Sequence, residues 1–255
     1  MGEPSRRALE LNEVEWWSRW ARLDWLDGNT HILTSRKFHE PFFNRAGFLA
    51  CRGIPNSLSS IESRFRVMGL RSNILIGEDC TEGLNFLRRA GYRLVDSMSV
   101  LELTTPSFNP NESLEVRRVG GQEVEGWSKA YLLSFYGSTR LLPEVGEVIG
   151  RIRSDRSVVL FEGKLGGHVA GVLAVYRRRA LAGVYCVGTI PRFRRMGIAG
   201  TLITKANEIA EGEGRRLILQ TLESDRAETF YLRGGFRRLY SKKILTRSLK
   251  GRRRA

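Results

Sequence analysis

The chain has 255 residues, with 42 Lys and Arg against 27 Asp and Glu and a formal net charge of +15. Hydrophobic residues at 42% and charged residues at 27% supply a buried core and exclude a disordered chain. The positive excess favours an acidic partner, such as a nucleic acid, a ribosomal surface or an anionic cofactor, while its scatter along the chain also fits an arginine-rich surface.

In chain order, the opening MGEPSRRALE holds no apolar signal core, and Arg6 stands where N-myristoylation of Gly2 needs Ser or Thr. The run EWWSRWARLDW then spaces Trp16, Trp17, Trp20 and Trp25 as a helix would. That pattern builds a core or a domain interface, and the alternative is a stacking platform for nucleic acid. Thr104–Ser113 (TTPSFNPNES), dense in Pro, Asn, Ser and Thr, reads as a linker. It divides the chain into a module at 1–105, a linker at 106–113, a domain at 114–247 and a basic tail at 248–255 holding Lys250, Arg252, Arg253 and Arg254.

Past the linker, strands and helices alternate. Leu114–Val119 reads as a strand, and Gln122–Tyr136 as a helix burying Val124, Trp127, Tyr131 and Phe135. Leu142–Arg153 reads as a second helix opened by Pro143. Ser157–Glu162, His168–Tyr176 and Ala182–Thr189 are strands, with a turn at Gly166–Gly167 between the first two. Ile198–Glu211 is an amphipathic helix, Leu217–Leu222 a buried strand, Ala227–Arg233 a helix and Phe236–Thr246 the last strand.

An internal repeat relates the two parts. Asn73–Leu101 lies on Leu217–Leu245 without a gap, at an offset of 144 (235 − 91). Phe86 then meets Phe230, Arg89 meets Arg233, Gly91 meets Gly235 and Tyr92 meets Phe236. Leu87 takes the place of Tyr231.

Cys51, Cys80 and Cys186 are widely separated and show no C-x-x-C spacing, so no disulfide framework and no metal site is expected, in keeping with a reducing cytoplasm. No apolar run approaches the ~18 residues of a membrane span.

The stretch that carries chemistry is Val187–Thr201, VGTIPRFRRMGIAGT. Pro191 ends a strand, a helix starts near Ile198, and Arg194-x-x-Gly197-x-Ala199 lies between them. Small residues at 197 and 199 let the main chain curl close to a ligand. The N–H groups of the loop and of the first helical turn, with the helix dipole, suit a pyrophosphate. Neither a Walker loop nor a Rossmann glycine fingerprint is present.

The loop resembles the R/Q-x-x-G-x-G/A signature of the GNAT superfamily of acyl-CoA-dependent N-acyltransferases. Ala227-x-x-x-Tyr231-x-x-x-Gly235-Phe236 resembles the family's second block. The resemblance covers 114–247, and 1–105, with PFFNRAGF at Pro41–Phe48, is similar to the degenerate first half of tandem members.

This resemblance implies an α/β fold with a central, mixed and mostly antiparallel sheet flanked by helices. It implies acetyl-CoA as cosubstrate, without a metal, bound by Val187, Gly188, Thr189, Arg194, Arg195, Met196, Gly197, Ile198, Ala199, Gly200, Thr201 and Ser224. Tyr231 takes the place of the tyrosine that protonates the leaving sulfur, and an amide near Val187 would face the oxyanion.

Two departures stand out. Ser224 replaces an Asn, and Ala182–Thr189 carries no carboxylate, which leaves Glu162, Glu223 or water as base. His168 reads as a turn residue and Cys186 as a buried strand thiol. The expected activity is acetyl transfer to a primary amine: a protein N-terminus, a lysine, a polyamine or another small amine. A CoA-binding module without activity and a nucleic-acid-associated protein are the alternatives.

Overall fold

The computed structural model describes residues 4–249, so the basic residues from Lys250 onward and Gly2 lie outside the described residues. Its elements are α1 (Arg6–Trp17), β1 (Arg22–Trp25), β2 (Thr30–Thr34), β3 (Arg45–Phe48), α2 (Ile54–Val67), β4 (Ser72–Gly77), α3 (Thr81–Arg89), β5 (Arg93–Leu103) and β6 (Glu115–Arg118). There follow α4 (Val124–Phe135), α5 (Leu142–Ile152), β7 (Val158–Leu165), β8 (His168–Arg178), β9 (Leu181–Thr189), α6 (Ile198–Gly212), β10 (Arg216–Leu222), α7 (Glu228–Arg233) and β11 (Phe236–Arg247). No described helix is long and apolar enough to cross a membrane.

Internal contacts divide the chain into two units. The first holds 4–100, Thr221–Arg226 and 239–249, and the second holds Leu101–Gln220 and Ala227–Arg238. In the first unit β1, β2 and β3 pair antiparallel in succession, β3 and β4 run parallel, and β11 pairs antiparallel with β4 from Lys242↔Gly77 to Arg247↔Ser72. The repeat is visible in the elements. Adding 144 carries β4 onto β10 and β5 onto β11 within one residue. The strand that ends the second copy therefore completes the sheet of the first unit.

An apolar cluster fills the first unit, with Ile32, Ala46, Ile54, Ile61, Phe65, Ile74 and Leu87 at its centre. The tryptophans of α1 and the turn after it belong to an aromatic cluster, not to a surface platform. Trp17 lies 5.2 Å from Phe42, and Trp20 lies 5.7 Å from Phe38. Trp25 is the exposed exception.

The structure corrects the cysteine expectation. Cys51 and Cys80 form a disulfide with Cα atoms 5.2 Å apart, because the chain leaving β3 passes the N-cap of α3. The cysteine argument for a reducing compartment fails at this pair. Cys186 is buried, as expected, and burial pushes its thiol pKa up.

Charged groups also enter this unit. Glu10 and Glu13 of α1 meet Lys242 of β11, Glu13 meets Arg45 at 2.6 Å, and His31 is buried beside them. Burial, then Arg45, lowers the His31 pKa from 6.5 to about 3. The unfolded chain thus takes up this proton first, so stability is full above pH 6.5 and falls as pH drops towards 3. The loss is on the order of 5 kcal/mol once both values are passed. Urea midpoints measured from pH 7 to 5 are expected to fall in the wild type and to stay nearly flat in His31→Gln.

In the second unit β6, β7, β8 and β9 pair antiparallel in succession, and β9 runs parallel to β10. The sheet is thus mixed and mostly antiparallel, as expected. Side chains alternate along a strand, so adjacent glycines of β8 and β9 report the two faces. A Cβ at Gly171 would lie 2.7 Å from Ile198 of α6, while one at Gly188 would lie 2.9 Å from Ser134 of α4. Gly188 pairs with Val172, next to Gly171, so α4 and α6 cover opposite faces.

Candidate active site

The site forms where β9 leaves the ladder. Pairing with β10 runs only from Leu181↔Arg216 to Val184↔Leu219. On the other edge the register with β8 shifts, so that Cys186 and Val187 both lie between the Val172–Gly188 and Ala174–Tyr185 pairs, opposite Leu173 alone. Cys186 takes a left-handed φ of 53° there. Such a bulge turns a peptide group out of the ladder, and it does so at the residues expected to face the oxyanion.

After Thr189 a 3-10 turn at Pro191–Phe193 leads to the loop, whose backbone is left-handed at Arg195 (φ 64°) and Gly197 (φ 74°). Gly197 is the N-cap of α6 and supplies no side-chain cap. The main-chain N–H groups of Arg195, Met196, Gly197, Ile198, Ala199 and Gly200 meet no main-chain acceptor among the described residues. Six donors at the positive end of a 15-residue helix are of the kind that can receive an anion.

Arg194 does not extend freely into this site. Its Nη2 donates to Ser134 O at 3.1 Å and its Nε to Thr189 O at 3.4 Å, which ties the loop to the end of α4 and to β9. Arg195 and Met196 are exposed. The open sides of two glycines face the segment 104–113. A Cβ on Gly197 would lie 3.1 Å from Asn109 O, and one on Gly200 would lie 3.1 Å from the Phe108 Cβ.

Tyr231 lies on α7 in the second unit's core, with Phe236 at 5.8 Å and Phe230 at 5.2 Å. Ser224 groups instead with the first unit. Its hydroxyl donates to Asp96 at 2.6 Å, and its N–H faces the same carboxylate at 3.3 Å. Burial, and to a lesser degree Asp96, raises the neighbouring Asp225 carboxyl. Glu162 is buried against α4 and pairs with Lys164 at 2.9 Å, and His168 is exposed at its turn.

Phe135 departs from the expected pattern. It is 48% exposed at the last turn of α4, packed on Tyr131 at 5.0 Å and close to Gly188. Helical spacing placed it inward, but at the helix end its ring passes the sheet edge beside the site.

The split strands and the donor-rich helix start lie in a mixed α/β fold. Residues 153–238 match the model of the acetyltransferase (GNAT) domain. The fold agrees with solved structures of low sequence identity. A GCN5-related N-acetyltransferase from Kribbella flavida aligns at 17% identity over 96% of each chain, with a TM-score of 0.69. One from Sphaerobacter thermophilus aligns at 16% over 96% of this chain and 90% of its own, with a TM-score of 0.68. A tandem GNAT protein from the clavulanic acid biosynthesis pathway aligns at 13% over 82% and 76%, with a TM-score of 0.59. No curated protein matches the sequence.

Proposed function

We propose that the second unit transfers an acetyl group from acetyl-CoA to a primary amine. The observation that carries this reading is the run of six free N–H groups between the bulged end of β9 and the first turn of α6. A diphosphate offers acceptor oxygens for these donors, and the exposed guanidinium of Arg195 adds charge. The pantetheine arm would then run along β9 from Tyr185 onward, where β10 no longer pairs with it.

The amine attacks the thioester carbon directly. As its C–N bond forms, the carbonyl oxygen takes up negative charge and accepts a hydrogen bond from the bulge near Val187. The C–S bond then breaks, and Tyr231 gives its proton to the thiolate. No carboxylate stands on β9, so the proton of the amine leaves through water or through Glu162 or Glu223.

Calorimetric titration with CoA, followed by thiol release from acetyl-CoA over a panel of amines, tests the reading. Tight binding without turnover would assign a CoA-binding module instead. Tyr231→Phe is expected to lower kcat by about 10²-fold while the KM for acetyl-CoA holds. An unchanged kcat would remove Tyr231 from the reaction.

A further inference from the structure

Residues 104–113 are more than a connection. Thr104 Oγ1 donates to Gly235 O at 2.8 Å, Ser107 Oγ donates to Arg233 O at 2.6 Å, and Ser107 N–H reaches Gly234 O at 3.1 Å. Phe108 packs 5.3 Å from Phe230. The far end of this strap reaches the phosphate loop through one side chain.

Asn111 Oδ1 accepts from Ser113 N–H at 3.0 Å and closes an Asx turn. Asn111 Nδ2 donates to Met196 O at 2.7 Å. Asn111 N–H donates to Thr201 Oγ1 at 2.8 Å, and Thr201 Oγ1 donates in turn to Gly197 O at 3.0 Å.

These bonds act on two peptide planes. A trans peptide points its C=O and N–H in opposite directions. Fixing Met196 O on the strap side therefore turns Gly197 N–H away from the strap, and fixing Gly197 O turns Ile198 N–H likewise. The plane after Gly197 is also held by α6 itself, through Thr201 N–H to Gly197 O at 3.0 Å, so the plane before this freely rotating glycine is the one that needs the strap.

We propose that Asn111 is a positioning residue for the diphosphate of acetyl-CoA, holding the peptide plane between Met196 and Gly197 in its donating orientation. The inference rests on the acetyl-CoA reading above. It gives the strap a role in cosubstrate affinity that the loop motif does not contain.

Calorimetry with CoA on the full chain tests it, with Asn111→Asp and Asn111→Ser. Both keep a turn acceptor and remove the Nδ2 donor to Met196 O, and serine adds no charge. CoA affinity is expected to fall about tenfold in Asn111→Asp and about fivefold in Asn111→Ser. In turnover the loss falls on the KM for acetyl-CoA, while kcat is unchanged.

Wild-type affinity in Asn111→Asp or in Asn111→Ser overturns the proposal alone. If Asn111→Asp does not fold, Asn111→Ser decides. A wild-type chain that binds no CoA overturns the acetyl-CoA reading and this inference with it.

Discussion

Replacing Gly197 with valine is expected to weaken CoA binding by about a hundredfold or more. At φ 74° a β-branched residue is strained by about 1–2 kcal/mol, and its Cβ would lie 3.1 Å from Asn109 O. The obstacle is main chain of the strap, which cannot rotate away as a side chain would. The loop must move instead, and the N–H groups on either side of residue 197 leave their aim. Two misplaced bonds to a charged ligand, at about 1.5 kcal/mol or more each, account for the expected loss. Stability should change less, because the loop is exposed. Gly69→Val is the matched control. It carries a similar φ of 68°, has nothing within 4 Å and lies in the first unit. Calorimetry should find its CoA affinity unchanged, and a Gly197→Val chain that binds as tightly would refute the phosphate assignment.

The sequence made the loop legible because its chemistry is local. Strand, Pro191, Gly197 and amphipathic helix follow one another within a few residues, and β9 and α6 start and end within one residue of their expected bounds. The repeat was legible for the same reason, since strand, helix and glycine turn recur at a constant offset.

The partners of the loop were hidden. Asn111 meets Thr201 across 90 positions, and the turn residues around it signal only irregular backbone. The disulfide joins cysteines 29 residues apart through the course of the chain between β3 and α3. Phe135 followed the helical period and is still exposed, because periodicity does not report where a helix overruns the sheet. The destination of β11 was hidden as well. Its buried Lys242 pairs with carboxylates brought in from α1, whose sequence showed only its tryptophans.

Those charges set the second large effect. Lys242 is 2% exposed, while the side chain of its neighbour Lys243 is 28% exposed. Lys242→Ala is expected to cost about 3–5 kcal/mol in urea unfolding, because it leaves Glu10 and Glu13 buried with less compensation. Burial alone would raise the Glu13 carboxyl, but Lys242, then Arg45, outweighs it and holds it at about 2. A carboxyl depressed from 4.5 to about 2 stabilises the wild type above pH 4.5, and that stability is lost as pH falls towards 2. Without Lys242 the carboxyl rises, and protonation then relieves the native state. The deficit of Lys242→Ala should therefore shrink between pH 7 and pH 4, whereas a cavity left by the lysine stem would cost the same at both. Lys242→Met combined with Glu13→Gln, which removes both charges of the pair, should recover much of the loss.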